Sequence, residues 1–113
     1  MDATADPGGK AMTPADTLRA ARALIERPER WTQMAMARKA NSESCHPKDD
    51  AACQWCASGA VGRAAGTDEE SVAALSLLSE VMRGQPSEFN DFHTHVEVLA
   101  AFDRAIEIAE KSE

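Results

Sequence analysis

Apolar residues recur at helical spacing in four stretches of this chain. In the first, Leu18, Ala21, Leu24 and Ile25 share one face. Thr13-Pro14 opens it with a capping hydroxyl and a proline at the first helical position, and Asp16 stands where a capping box needs its acid. Arg27-Pro28 ends it, because a residue before proline avoids the α region. The stretch AACQWCASGAVGRAA, residues 51–65, predicts a second long helix, capped by Asp49 or Asp50 and stopped by Gly66. A third follows the capping box of Thr67 and Glu70, with Val72, Leu75, Leu78 and Met82 on one side and Gly84 and Pro86 closing it. The fourth follows a further box, Thr94 with Glu97, and carries Leu99, Phe102, Ile106 and Ala109.

The connections are less regular. In PERWTQMAMARKANSES, Trp31, Met34 and Met36 fit one helical turn and also a partly alternating strand; we read a short helix followed by a polar loop over 41–50. Residues 87–93 read as a turn or a single helical turn. The expected fold is therefore all-α, a compact single-domain bundle of about four main helices with short extra helical turns. Residues 1–12, with Pro7, Gly8 and Gly9 and no hydrophobic period, are expected to be a disordered leader without a role of its own, and the domain to run over 13–113.

Composition agrees with helices. Of 113 residues 43% are hydrophobic but only 4% aromatic, so small and aliphatic side chains must fill the interior, which suits helix packing better than sheet faces. The net charge of -7 disfavours direct nucleic-acid binding, which depends on Lys and Arg replacing phosphate counterions. No stretch approaches the length of a membrane span, and the N-terminus has no basic region followed by an apolar one. Three cysteines cannot all pair within one chain, as fits a reducing compartment. The chain thus reads as soluble and cytoplasmic.

Candidate chemistry centres on the cysteines. If residues 51–65 are helical, Cys53 and Cys56 lie at i and i+3 on one face, a spacing at which two thiolates reach one zinc ion. Cys45 and His46 on the preceding loop complete a conditional metal set, and His93 or His95 could arrive from the turn before the last helix. Against this, only one ligand pair is present, and no βαβ pattern surrounds it to support redox use. The plainer reading makes Cys56 a small core residue beside Ala57, Gly59 and Ala60, letting another helix approach closely. A cysteine-histidine hydrolase could be drawn from Cys45, His46, Asp91, His93 and His95, but no nucleophile motif surrounds either Cys45 or Cys53, and no phosphate-binding glycine loop is present. Met34 and Met36 beside Trp31 either offer an adaptable contact surface or close the core beneath the loop; we take the latter.

Trp31-Thr32-Gln33, then Trp55-Cys56-Ala57 with Gly59-Ala60, then Phe89-Asn90-Asp91 leading to Val98 through Ile106, together resemble an uncharacterised family of small bacterial and phage proteins. Its pattern is a tryptophan after the first helix, a WCAxGA helix, and a tryptophan- or phenylalanine-Asn-Asp turn before a final helix. The resemblance covers about residues 15–109 and lends one compact domain but no activity. It marks Trp55-Cys56 and Asn90-Asp91, each with a structural alternative: Trp55 as core anchor, Asn90 and Asp91 as side chains satisfying backbone groups at a turn; Trp31, Trp55, Asn90 and Asp91 are the binding candidates. Cys53 and the Cys45-His46 loop depart from the pattern, which weakens a family-wide metal role.

The leading expectation is a small non-catalytic cytosolic binding or accessory module that contacts an unidentified protein or small ligand and carries no cofactor. The second is a zinc- or thiol-dependent protein centred on Cys53 and Cys56. A third is an acidic inhibitor occupying a nucleic-acid channel.

Overall fold

In the computed structural model, which describes residues 11–112, helix α1 (Pro14–Leu24) starts at the expected cap. Thr13 Oγ1 accepts the Asp16 N–H at 3.1 Å, and the Asp16 carboxylate accepts the Thr13 N–H at 3.3 Å. Ala15, Thr17, Leu18 and Ala21 face inward. Most of the expected leader lies outside the described residues; its last residue, Met12, donates its N–H to Glu70 at 2.8 Å.

The first departure from an all-α fold follows. After a 3₁₀ turn (Pro28–Arg30), strand β1 (Ala37–Lys39) pairs antiparallel with β2 (Ala52–Trp55). Ala37 faces Trp55, Arg38 faces Gln54 and Lys39 faces Ala52, which leaves Cys53 as the extra residue of a bulge. Cys45 bonds back to the Ala37 carbonyl on the other side of β1. The fold is mostly helical with a small two-stranded sheet. Alanine content alone favoured helix over 51–56, but pairing with a segment some fifteen residues away supplies those backbone groups with other partners.

Helix α2 (Ala57–Ala64) consequently begins six residues later than expected, and its cap is Cys56 rather than Asp49 or Asp50. It ends on Ala65 in extended conformation, and Gly66 instead donates its N–H to Glu70 at 2.8 Å. Helix α3 (Asp68–Met82) opens on the Thr67–Glu70 capping box and stops where Arg83 adopts φ 59°. Its inner face is Ala74, Leu78 and Met82; Val72, expected there, is 62% exposed. The 87–93 turn is a helix in its own right, α4 (Pro86–Phe92), with proline in its first turn. Thr94 and Glu97 cap α5 (His95–Ser112), whose inner face is Val98, Ala101, Phe102, Ala105 and Ala109, with Leu99 and Ile106 at its edges.

Helix α1 packs against α5, α2 and α3. Alanines at so many inner positions let helices approach closely around Leu18, Ile25, Val61, Leu78, Val98 and Phe102. Along the α1–α5 seam, Arg22 pairs with Asp103 and Arg19 with Glu110, both at 2.6 Å, so the two helices run antiparallel. Among the described residues no helix is long and apolar enough to cross a membrane.

Candidate functional site

Three segments far apart in sequence converge on Asn90, which is fully buried near the end of α4. Its Oδ1 accepts the Trp31 indole N–H at 2.6 Å and the Ala57 N–H at 2.9 Å. Its Nδ2 donates to the Thr32 carbonyl at 3.0 Å and, more weakly, to Asp91 Oδ1 at 3.4 Å. A side-chain amide has two donor protons and an oxygen with two lone pairs, and all four are engaged. Because Ala57 is the first residue of α2, Asn90 also satisfies one of that helix's free N–H groups.

The neighbouring residues extend the network outward. Asp91 Oδ1 accepts the Met34 N–H at 2.8 Å and so holds Met34 at φ 67°, a left-handed conformation that side chains disfavour. Gln33 Nε2 lies 3.0 to 3.3 Å from the carbonyls of Asn90, Asp91 and His93, clamping the α4–α5 corner. His93 stacks on Phe89 at 3.6 Å and donates Nδ1–H to the Phe89 carbonyl; His95 packs on Trp31 and donates Nε2–H to the Ile25 carbonyl. A carbonyl can only accept, so each ring carries a proton on the nitrogen named and is held in a fixed orientation.

Trp55 to Gly59 form the second half of this centre. Trp55 is 3% exposed; its indole N–H donates to the Pro47 carbonyl at 3.0 Å, and the guanidinium carbons of Arg30 and Arg63 lie 6.0 and 5.7 Å from its ring. Cys56 Sγ caps α2 by accepting the Gly59 N–H at 3.3 Å. Burial pushes its thiol up, outweighing the Gly59 and Ser58 N–H groups that favour thiolate. The Cys56 N–H donates to the Met36 carbonyl, and a Cβ on Gly59 would overlap that carbonyl oxygen. The small residues therefore admit a close backbone approach, but from the segment before β1 rather than from another helix.

The four candidate metal ligands are not assembled. Cys53 sits in a strand bulge and Cys56 at a helix cap, so the shared helical face on which their pairing rested does not exist. His46 Nδ1 accepts the Lys48 N–H at 3.0 Å, and Cys45 packs against the core. Among the described residues no three His, Cys, Asp or Glu side chains gather as a group that could hold a metal ion.

Two surface features lie outside this centre. Met34, Phe92 and Val96 are 73%, 78% and 74% exposed; the Met34 N–H bonds to Asp91, next to Phe92, and Gln33 bonds to the His93 carbonyl, three residues before Val96. Met34 and Met36 are both expected to close the core beneath the loop; Met34 is mostly exposed and Met36 is 43% exposed, so neither does. The alternation of Met34 and Met36 was the available signal, but alternation does not say which side faces water. The second feature is a cleft of about 380 Å³ between residues 46–48 and the junction of α2 with α3.

The model of the family of unknown function DUF6197 matches residues 9–108, and the chain belongs to that family. No curated protein and no solved structure matches.

Proposed function

We propose that this member of the DUF6197 family is a non-catalytic contact module that docks a basic, amphipathic protein segment on the corner between α4 and α5. The observation that carries this reading is the pairing of exposure with rigidity. Met34, Phe92 and Val96 present apolar side chains to water, while the backbone beneath them is tied by Gln33, Asn90 and Asp91. Large apolar side chains clustered at one place on a small domain mark contact surfaces, and methionine and phenylalanine are suited to anchoring them. A preorganised surface also loses less freedom on binding.

Charge selects the partner. Glu88 and Arg83 line the depression beside Phe92, Glu97 stands in the first turn of α5, and the chain as a whole carries 19 acidic against 12 basic residues. An acidic rim around an apolar centre favours a segment with a hydrophobic stripe flanked by Lys or Arg. In this reading Trp31, Trp55, Asn90 and Asp91 are the scaffold beneath the surface rather than the residues that touch the partner. The raised Cys56 thiol, and the placing of Cys53 in a strand bulge and Cys56 at a helix cap, do not favour the zinc- or thiol-dependent alternative.

The test is titration of ¹⁵N-labelled protein with a synthetic amphipathic helix of leucine and lysine. Shifts are expected at residues 33–36 and 88–97, weakening with salt, and loss of binding is expected in Phe92→Ser/Val96→Ser at unchanged Tm. Binding that survives this double substitution would sink the proposal.

A further inference from the structure

We infer that the cleft between residues 46–48 and the α2–α3 junction binds a small zwitterion with an apolar side chain, the chemistry of a free apolar amino acid. It lies apart from the α4–α5 corner, and its volume of about 380 Å³ is within the range of small-molecule sites.

The first argument is a glycine. Gly62 is within α2, where glycine is less favourable than alanine, so its presence needs a reason. Packing gives none: a Cβ there meets only the Pro47 ring, at 3.9 and 4.0 Å, an ordinary contact. Three residues earlier, Gly59 is required by the Met36 carbonyl, so the two glycines of one helix have different causes. What a side chain at Gly62 would occupy is the cleft, which Gly62 lines together with Met36, Pro47 and Ala65.

The second argument is that the cleft wall is held in place. Arg63 Nη1 donates to the carbonyls of Pro47 and Asp49 at 3.2 and 3.0 Å, and the Trp55 indole also binds the Pro47 carbonyl. Lys48 Nζ donates to the Ala65 carbonyl at 2.8 Å across the opening. The loop is thereby fixed to α2 without a ligand, as a preformed site requires.

The third argument is the charge pattern. Lys48 retains two ammonium protons beyond the one given to Ala65. His46 accepts the Lys48 N–H on Nδ1, so its neutral ring carries the proton on Nε2 and offers a second donor. Asp68 lines the same cleft, with the hydroxyls of Thr67 and Ser71. A carboxylate thus finds donors in Lys48 and His46, an ammonium finds an acceptor in Asp68, and an apolar side chain finds Met36, Pro47, Ala65 and the space above Gly62. An uncharged hydrophobe would leave both charges unused.

The experiment is ¹H–¹⁵N titration of the full chain with L-leucine, 4-methylpentanoate, which lacks the ammonium, and 3-methylbutylamine, which lacks the carboxylate. Leucine is expected to shift residues 46–48, 62 and 65–71 saturably with a Kd of about 1 mM or lower, and each analogue to bind at least about tenfold more weakly. Gly62→Leu is expected to abolish binding, Asp68→Asn, which leaves the Lys48–Ala65 bond intact, to weaken it, and Lys48→Gln, which removes that bond together with the charge, to weaken it as well. No saturable shift by about 20 mM, shifts away from the cleft, analogues that match leucine, or undiminished binding in the charge variants would each overturn the inference.

Discussion

Replacing Asn90 by alanine tests whether its four hydrogen bonds hold the three converging segments together. The substitution strips a partner from the Trp31 indole N–H, the Ala57 N–H and the Thr32 carbonyl at once. Each buried polar group left unpaired costs about 1–3 kcal/mol. Trp31 and Thr32 are half-buried and can recruit water, whereas Ala57 is fully buried and cannot, so the sum is about 3–5 kcal/mol. Against a total stability of about 5–15 kcal/mol for a domain, this is a large fraction, and it corresponds to a fall in Tm of about 15–30 °C. The assay is urea denaturation followed by tryptophan fluorescence, with thermal melts by circular dichroism. A double-mutant cycle with Trp31→Phe, which deletes only the indole donor, is expected to give a coupling of about 1–2 kcal/mol. If Asn90→Ala lost less than about 1 kcal/mol, or if the cycle were additive, the network would not be the organiser argued here.

The two glycines of α2 should respond in opposite directions to alanine: Gly59→Ala destabilises by about 3 kcal/mol or more because of the Met36 carbonyl, and Gly62→Ala stabilises by about 0.5–1 kcal/mol, both read from urea midpoints. Thr17 Oγ1 is buried with no hydrogen-bond partner among the described residues, so Thr17→Val should raise stability by about 1 kcal/mol; a loss of similar size would show that the hydroxyl is satisfied. Because burial raises the Cys56 thiol, native protein at neutral pH should show two thiols reacting with an aromatic disulfide, Cys45 and Cys53, and a third only on unfolding; three fast thiols would refute this. The N–H groups of Met12, Gly66 and Thr67 hold the Glu70 carboxyl below the usual range, so its contribution is complete above the ordinary value of 4.5 and is lost as pH falls through the depressed one. Glu70→Gln should accordingly flatten the acid limb of stability against pH, and an unchanged limb would assign that limb to other groups.

What was legible in the sequence was what short-range chemistry decides. Thr13 with Asp16, Thr67 with Glu70, and Thr94 with Glu97 each place a hydroxyl and an acid three residues apart, and each starts a helix in the structure. Residues 51–56 misled because nothing local separates an alanine-rich strand from a helix start. Their partners, residues 37–39, lie in the stretch whose pattern predicts a short helix before the 41–50 loop. The cap of α2 was hidden for a different reason: a cysteine sulfur accepting the Gly59 N–H is outside the usual set of capping oxygens. For Asn90, its residue type suggested a group that satisfies backbone at a turn. It does so, but for Ala57 and Thr32, 33 and 58 residues away, which no local pattern reveals.

A side chain whose polar atoms are all engaged inside the fold offers a ligand no free hydrogen-bonding group. Asn90, the Trp55 indole N–H and the Cys56 sulfur are in that condition, so the most distinctive residues of the sequence specify how α2, α4 and the 31–36 segment meet. In the two sites proposed above, recognition uses groups the fold leaves unspent: the exposed Met34, Phe92 and Val96, and the remaining protons of Lys48 and His46 around the space above Gly62. Both lie on segments that the buried centre fixes: Asp91 sets the Met34 backbone, and Trp55 with Arg63 sets the Pro47 loop. A substitution in the centre should therefore disturb the corner and the cleft together, whereas Phe92→Ser or Gly62→Leu should silence one and leave the other intact.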